Sequence, residues 1–174
     1  MHVRGWQAGY AGLMPAEVLD RLNVAAWAQR RRDLGTADPE HPFRTLVALT
    51  DDRIVGFTTL GPYRNDQDRE DLDPAYGEIL GMYVEPARWG GGTGRALLAA
   101  ARAGLVEQGW TEYRLWVLAG NRRGRTFYER AGLAPDGTSS TYRAPLSGGR
   151  PPVRLTELRY TGRLEVPGAD GRPG

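Results

Sequence analysis

A cluster of glycines near the middle of the chain has the composition of a phosphate-binding loop. Gly90-Gly91-Gly92-Thr93-Gly94 directly follows a strand-like run, and helical periodicity resumes at once. Glycines let backbone N–H groups converge on one point, and a helix that begins there adds unpaired N–H groups and the positive end of its dipole. A merely flexible loop is the alternative, but the helix that follows favours a pyrophosphate site.

Two common kinds of phosphate loop are excluded by the neighbouring residues. A Walker loop ends in Gly-Lys-Ser/Thr, whereas Gly94 is followed by Arg95, and all 23 basic residues of the chain are arginines. A dinucleotide fingerprint needs a third glycine, and its two frames place Leu97 or Arg95 there. The absence of cysteine excludes thiolate nucleophiles and zinc–thiolate sites, and the absence of lysine excludes Schiff-base chemistry.

What remains resembles the acetyl-CoA motif of the GNAT superfamily, Gln/Arg-x-x-Gly-x-Gly/Ala after a strand that ends Val-x-Pro. The segment Val84–Leu98 contains Val-Glu-Pro and then the glycine cluster. Gly92 and Gly94 match the two small positions of the motif. Trp89 stands at the Gln/Arg position, which is a departure, and Arg88 lies one place before it.

A second signature lies at the family's distance downstream. The segment Asn121–Leu133 resembles the pattern Asn-x-x-Ala-x-x-Phe-Tyr-x-x-x-Gly-Phe, with Gly124 in place of the alanine and Leu133 in place of the last phenylalanine. The resemblance covers roughly Thr45–Leu164. Asn121 also has the residue type of a helix N-cap, and both roles are compatible.

This resemblance implies an N-acetyltransferase that transfers an acetyl group from acetyl-CoA to a primary amine of a small molecule or peptide. No metal is implied. The residues that it assigns to acetyl-CoA are those of the two motifs and of the strand before them: Met82, Tyr83, Val84, Trp89, Gly90, Gly91, Gly92, Thr93, Gly94, Arg95, Asn121, Gly124, Phe127 and Tyr128.

Amine acetylation needs a neutral amine, donors for the oxyanion and a proton for the departing thiolate. Without cysteine, direct attack in a ternary complex is the simplest scheme. The resemblance places the catalytic base at Glu78 and the oxyanion donor at the backbone N–H of Met82. Tyr128 is assigned as the acid, because a phenol titrates near ~10. The alternatives are a solvated glutamate at a strand end and a tyrosine that only packs.

Strand alternation predicts Glu78, Leu80, Met82 and Val84 on one face. Since four residues of strand span ~13 Å, Glu78 would need a water relay or a local bulge to act on a group held at Met82. Gly81 is the predicted position of that bulge, because glycine within a strand often marks one.

The acceptor site is less defined. The resemblance implies that the acceptor enters opposite CoA, between the first helices and the last strands. The predicted wall residues are Trp6, Tyr10, Leu13, Tyr63 and Tyr142, together with Glu78. The acidic segment Asp66–Asp73 would attract a cationic amine, or it is only a solvated loop.

The elements that must position these residues alternate between helix and strand. Helical spacing is found in two pieces within Gly5–Arg32, where Val18, Leu19, Leu22 and Ala26 recur on one side, and Arg64–Pro74 is predicted to be a polar loop. The predicted strands are Thr45–Thr50, Ile54–Leu60, Tyr76–Val84, Tyr113–Leu118, Thr138–Arg143 and Val153–Leu164, with helices after the glycine cluster and from Asn121 to Ala131.

This order indicates an α/β (α+β) fold with a mixed, mostly antiparallel sheet of about six strands and helices on both faces. The first strand of the family is missing from the pattern, which would expose a sheet edge and leaves a homodimer open. We expect one domain over 1–166 and a flexible tail over 167–174.

Charge and composition bear on partners. The net charge is only +2 with dispersed arginines, so neither nucleic acid nor membrane is an expected partner, and we expect a cytoplasmic enzyme. The alternative function is a non-catalytic acyl-CoA-binding sensor or interaction module. The presence of both Glu78 and Tyr128 favours the enzyme, because a binding module needs neither.

Overall fold

The computed structural model describes residues 2–23, 25, 29 and 41–165. Within them, helices and strands follow the predicted order. The elements are α1 (His2–Tyr10), α2 (Ala16–Asp20), β1 (Arg44–Thr50), β2 (Arg53–Arg64), β3 (Leu72–Val84), α3 (Thr93–Glu107), β4 (Glu112–Leu118), α4 (Arg122–Arg130), β5 (Ala134–Ala144) and β6 (Val153–Arg163).

One six-stranded sheet runs through the molecule in the order β1-β2-β3-β4-β6-β5. All neighbours are antiparallel except β3 and β4, so the predicted mixed, mostly antiparallel sheet is confirmed. The parallel pair is short, because only Gly77↔Tyr113 and Glu78↔Arg114 are in register. Beyond these pairs β3 and β4 part, which leaves a gap in the middle of the sheet.

A β-bulge in β3 lies next to this gap. Thr59 pairs with Gly81 and Leu60 pairs with Ile79, so Leu80 is an extra residue on β3. The bulge lies one residue before the predicted position at Gly81, and it changes which residues share a face. Ile79 and Met82 both pack against the same core.

The prediction that Glu78 and Met82 share a face is therefore wrong. Successive residues point to opposite faces, so Glu78 lies across the sheet from its neighbour Ile79. The extra residue then places Met82 with Ile79. A strict period of two applies only to an uninterrupted strand.

Helices cover both faces of the sheet, as predicted. On one face the apolar stripe of α3 is buried. On the other face α1 packs against β3, and the buried side chains of α2 pack with Leu118 of β4 and Ala144 of β5. The first core contains Leu60, Ile79, Leu98, Ala101, Leu105, Tyr113, Leu115, Val117, Leu133, Tyr160 and Leu164. The second contains Met14, Val18, Leu19, Leu118 and Ala144.

Some predicted boundaries move. The polar loop predicted over Arg64–Pro74 shortens to 65–71, because β2 extends to Arg64 and β3 begins at Leu72. A single-turn 3-10 helix, Asn65–Gln67, forms the tip of this β2–β3 turn. Ala26 and the predicted tail 167–174 lie outside the described residues, and the first described element is a helix rather than a strand.

Candidate active site

The gap between β3 and β4 opens into a cavity of about 1070 Å³. At one end it is bounded by the glycine loop and α4. At the other end it is bounded by α1 and by the strands that contribute to the second core. Its lining includes Leu80 to Val84 from β3 and Trp116 to Leu118 from β4. The parting of the two strands therefore provides a channel from the surface to the centre of the sheet.

The glycine loop begins α3 with a backbone conformation that favours glycine. Gly90 and Gly92 have φ values of 81° and 92°, and Gly92 is the N-cap of the 15-residue helix α3. Gly94 faces α4, where a Cβ would make an ordinary van der Waals contact of 3.4 Å with the Phe127 ring. Residues with side chains would strain the first two positions.

Trp89, the departure from the family motif, closes the loop onto β3. Its indole Nε1 donates a hydrogen bond to the carbonyl oxygen of Val84 at 3.0 Å. The guanidinium carbon of Arg123, on α4, lies 4.3 Å from the centre of the Trp89 ring. The tryptophan thus connects β3 to α4 through a cation–π contact.

Asn121 has the predicted capping role at the start of α4. Its Oδ1 accepts a hydrogen bond from the Gly124 N–H at 2.9 Å, which satisfies one of the helix's unpaired donors. A Cβ on Gly124 would lie 2.7 Å from Asn121 Nδ2. Glycine at this position therefore permits the cap to pack closely against the helix.

Tyr128 lies on α4 and contributes to the cavity wall. Desolvation raises the pKa of its phenol well above the usual value, and the nearby Tyr83 and Tyr113 add to the increase. The described residues give its hydroxyl no hydrogen-bond partner. The Tyr128 phenol is consequently uncharged at neutral pH, and its raised pKa makes it a weaker acid than an exposed tyrosine. Proton donation by Tyr128 stays a prediction.

Glu78 is buried and engaged through both carboxylate oxygens. Its side chain is 1% exposed. Oε1 accepts a hydrogen bond from Arg64 Nη2 at 2.8 Å, and Oε2 accepts two from the Nε and backbone N–H of Arg64, each at 3.0 Å. This is a two-oxygen ion pair, in contrast to the solvated glutamate of the alternative interpretation.

Glu157, on β6, is a second cavity carboxylate that the sequence analysis missed. It pairs in register with Leu118 of β4, and its Oε2 accepts a hydrogen bond from Gln67 Nε2 at 2.8 Å. Burial raises the pKa of the Glu157 carboxyl above its usual value. The Gln67 hydrogen bond and Arg64 oppose this shift, and the charge of Glu78 reinforces it.

A pattern in β6 contained the signal for Glu157. Val153, Leu155 and Glu157 are alternate residues and lie on one side of the strand. The polar residues between them lie on the other side. An acid that continues an apolar alternation faces the interior of the protein.

Three of the predicted acceptor residues meet at the end of the cavity away from the glycine loop. The ring centroids of Trp6 and Tyr10 are 4.9 Å apart, and those of Trp6 and Tyr142 are 6.3 Å apart. Leu13 and Tyr63 are not in the cavity lining. Leu13 packs beside Gly120, and buried Tyr63 accepts a hydrogen bond from the Arg159 guanidinium.

The remaining predicted cofactor residues divide in a similar way. Gly91 and Thr93 are outside the lining, whereas the other twelve predicted positions belong to it: Met82, Tyr83, Val84, Trp89, Gly90, Gly92, Gly94, Arg95, Asn121, Gly124, Phe127 and Tyr128. The acidic segment Asp66–Asp73 reaches the cavity only through Gln67. Steering by its acids stays a prediction.

An ion pair holds α1 against the end of β3. Arg4 Nε and Nη2 donate to the two carboxylate oxygens of Glu85 at 2.9 and 2.8 Å, and the hydrogen bond with Arg4 lowers the pKa of the Glu85 carboxyl. α1 thereby closes one side of the cavity.

The part of the chain that the structure describes contains no cluster of three or more potential metal ligands. Among the same residues no helix has both the length and the apolar character needed to cross a membrane.

Comparisons with known proteins agree with this architecture. The Acetyltransferase (GNAT) family profile matches residues 10–133. The uncharacterized N-acetyltransferase YuaI of Bacillus subtilis is 26% identical over 123 residues, covering 70% of this chain and 64% of its own length. A mycothiol acetyltransferase of Kocuria rhizophila is 33% identical over 107 residues, covering 60% of this chain and 33% of its own length.

Among solved structures, the PaiA N-acetyltransferase of Thermoplasma acidophilum, in complex with coenzyme A, superposes with a TM-score of 0.67 at 19% identity. The match covers 93% of this chain and 87% of that one, and it supports the fold. Together with the family profile, which spans more than half of the sequence, these findings show that the chain belongs to the GNAT acetyltransferase family.

Proposed function

We propose that this protein transfers an acetyl group from acetyl-CoA to a primary amine of a small molecule or peptide, by direct attack in a ternary complex. The observation that carries the proposal is the gap between β3 and β4, which begins beyond Glu78 and ends at the glycine loop. A long, narrow ligand with a phosphate at one end and a reactive group at the other matches a channel of this form.

The glycine-loop end has the properties that a pyrophosphate requires. Positive φ values at Gly90 and Gly92 allow backbone N–H groups to turn toward a ligand, and α3 begins at that point. Arg95 and Arg122 line the same end of the cavity and supply positive charge. Both motif segments therefore suit the phosphate groups of acetyl-CoA.

The middle of the channel suits the pantetheine arm and the acetyl group. Beyond Glu78, β3 has no register partner on β4, so its backbone groups on that side are available to a ligand. We assign the backbone N–H of Met82 as the donor to the acetyl oxygen, with Tyr83 and Val84 beside the arm. Donors fixed in this way stabilise the developing negative charge.

Tyr128 is the proposed source of the proton for the departing sulfur. Its neutral phenol lines the channel, which is the state that a proton donor needs. The role of Glu78 as the base remains a prediction. Its ion pair with Arg64 gives Glu78 a structural role at the acceptor end of the cavity. A cytoplasmic location and a homodimer also remain predictions.

Titration calorimetry with acetyl-CoA tests the proposal, with ATP and NAD as controls. We expect micromolar binding of acetyl-CoA and no heat from the controls. Release of the CoA thiol in the presence of primary amines is then measured with a thiol reagent, and the protein gives no background because it has no cysteine. A folded sample that fails to bind acetyl-CoA would contradict the assignment.

A further inference from the structure

The cavity contains two carboxylates on the same face of the sheet, and only one of them is neutralised by an arginine. Glu78 is engaged by Arg64 through both oxygens. Glu157 accepts one hydrogen bond, from the uncharged Gln67 amide to Oε2. Among the described residues nothing donates to its Oε1.

Polar and titratable side chains approach Glu157 from several elements of the fold. Gln67 approaches from the β2–β3 turn, and the charges of Arg64 and Glu78 act from β2 and β3. Among the described residues, Tyr10 on α1 and Tyr142 on β5 are the other titratable groups that interact with it, and both lie near enough for Glu157 to raise the pKa of their phenols. Glu157 thus lies at the aromatic end of the cavity with one oxygen available.

We propose that Glu157 binds the ammonium group of the acceptor and accepts its proton, so that Glu157 rather than Glu78 is the general base. This inference rests on the proposed function and deepens it. A free carboxylate oxygen in a cavity is the group that pairs with a cationic amine, whereas a carboxylate already shared with a guanidinium is not available for this contact.

The acceptor ammonium loses one proton to Glu157, which passes it to solvent. The neutral nitrogen forms a bond to the acetyl carbonyl carbon, the carbon–sulfur bond breaks, and the sulfur takes the phenol proton of Tyr128. The second nitrogen proton returns to Tyr128 through water, which leaves an amide and free CoA.

Burial supports this role for Glu157. Because desolvation raises its pKa, the carboxylate is a stronger proton acceptor than an exposed one, and a base works best when its pKa approaches the working pH. Below that pKa Glu157 is protonated, so kcat/KM falls as the pH decreases.

The same geometry restricts the class of acceptor. Arg64, the cation that acts on Glu157, is already paired with Glu78. The other arginines of the described lining lie beside the glycine loop or on α3 and α4. The remaining wall is aromatic, from Trp6, Tyr10 and Tyr142. We therefore expect a primary amine with an apolar body and no carboxylate next to the amine.

The decisive experiment compares Glu157→Gln with Glu112→Gln, a matched substitution at the start of β4 and outside the cavity. We expect Glu157→Gln to lower kcat/KM for the amine about 100-fold, within the usual range for a general base, while acetyl-CoA binding by calorimetry is retained. Glu112→Gln should retain wild-type kcat/KM.

The pH profile separates a base from a merely structural residue. We expect the inflection of kcat/KM at the carboxylate pKa to disappear in Glu157→Gln and to persist in folded Glu78→Gln. In Glu157→Gln, kcat/KM should depend on pH only through the ionisation of the acceptor amine, and so should rise as more free amine is present. Glu157→Asp should recover part of the activity. An unchanged profile in Glu157→Gln would overturn the inference.

Matched amines test the acceptor class. The panel pairs phenethylamine with phenylalanine, tyramine with tyrosine and isoamylamine with leucine. We expect turnover of the amines and not of the amino acids, and a preference for the amino acids, or no turnover of any amine, would contradict the acceptor class. Failure of wild-type protein to bind acetyl-CoA would count against the proposed function itself. Acetyl-CoA binding and turnover with an unaffected Glu157→Gln would count against the inference alone.

Discussion

The two ends of the cavity are built in different ways. The glycine-loop end consists of β3, the loop, α3 and the start of α4, which are short stretches with their functional residues close together in sequence. The acceptor end combines residues from α1, the β2–β3 turn, β5 and β6. Gln67 and Glu157, for example, are 90 positions apart and share a hydrogen bond.

This difference determines what a sequence can reveal. A loop that uses backbone N–H groups constrains the residue types that form it, so it leaves a local pattern. A pocket assembled by tertiary packing leaves only scattered residues. The predictions that follow use this contrast, from the largest expected effect to the smallest.

The largest effect is expected from the buried ion pair at the acceptor end. Arg64→Met leaves Glu78 charged and without its cation, with the two side chains 12% and 1% exposed. Loss of one partner of a buried pair costs about 3–5 kcal/mol. Urea denaturation should show a decrease of this size in the free energy of unfolding.

The control for this variant is the double substitution Arg64→Met with Glu78→Met, which should recover much of the stability. The folded fraction of Arg64→Met should bind acetyl-CoA with near wild-type affinity. A large loss of affinity in folded protein would show that the two ends are not independent.

Tyr128→Phe tests the chemistry at the junction of the two ends. Loss of the phenol proton should lower kcat about 100-fold with unchanged acetyl-CoA affinity. Steady-state kinetics and calorimetry provide the two values. Tyr76→Phe, on β3 and outside the cavity lining, is the matched control with unchanged kcat. Equal kcat values for Tyr128→Phe and wild type would show that Tyr128 does not contribute to catalysis.

Gly92→Ala changes the glycine-loop end alone. At a φ of 92° a side chain costs roughly 1–2 kcal/mol, which we expect to weaken acetyl-CoA binding about tenfold. Gly137→Ala is matched, since Gly137 has a φ of 88° and lies on β5 away from the cavity. It should lower the melting temperature comparably and leave the affinity unchanged. A similar loss of affinity in both variants would contradict a local role for Gly92.

The smallest effect is expected at the exposed pair between α1 and β3. Arg4 is 64% exposed, so Arg4→Ala should cost at most about 1 kcal/mol. Arg4 lowers the pKa of Glu85, so its contribution is complete above the usual glutamate value of 4.5 and is lost as the pH falls through the lowered pKa. Thermal melts of wild type and variant should converge at acid pH, and high salt should also reduce the difference.

Much of the fold could be predicted because its signals are local. The strands, the helix after the glycines and the Asn121 cap follow from periodicity and residue type. The side of the sheet on which Met82 lies could not be predicted, because the extra residue, Leu80, depends on how β2 pairs with β3. In the same way, the ion pair of Glu78 with Arg64 depends on the β2–β3 turn, whose length the sequence overestimated.

The identity of the cation beside Glu78 also has a chemical consequence for an enzyme that handles activated acyl groups. In the proposed complex, a lysine at position 64 would place a potential nucleophile in the same cavity as the thioester. A guanidinium remains protonated and delocalised in proteins, so Arg64 can neutralise Glu78 without attacking the ligand. Arginine is the chain's sole basic side chain besides histidine, so the chain offers no lysine side-chain amine for acetyl-CoA to acylate.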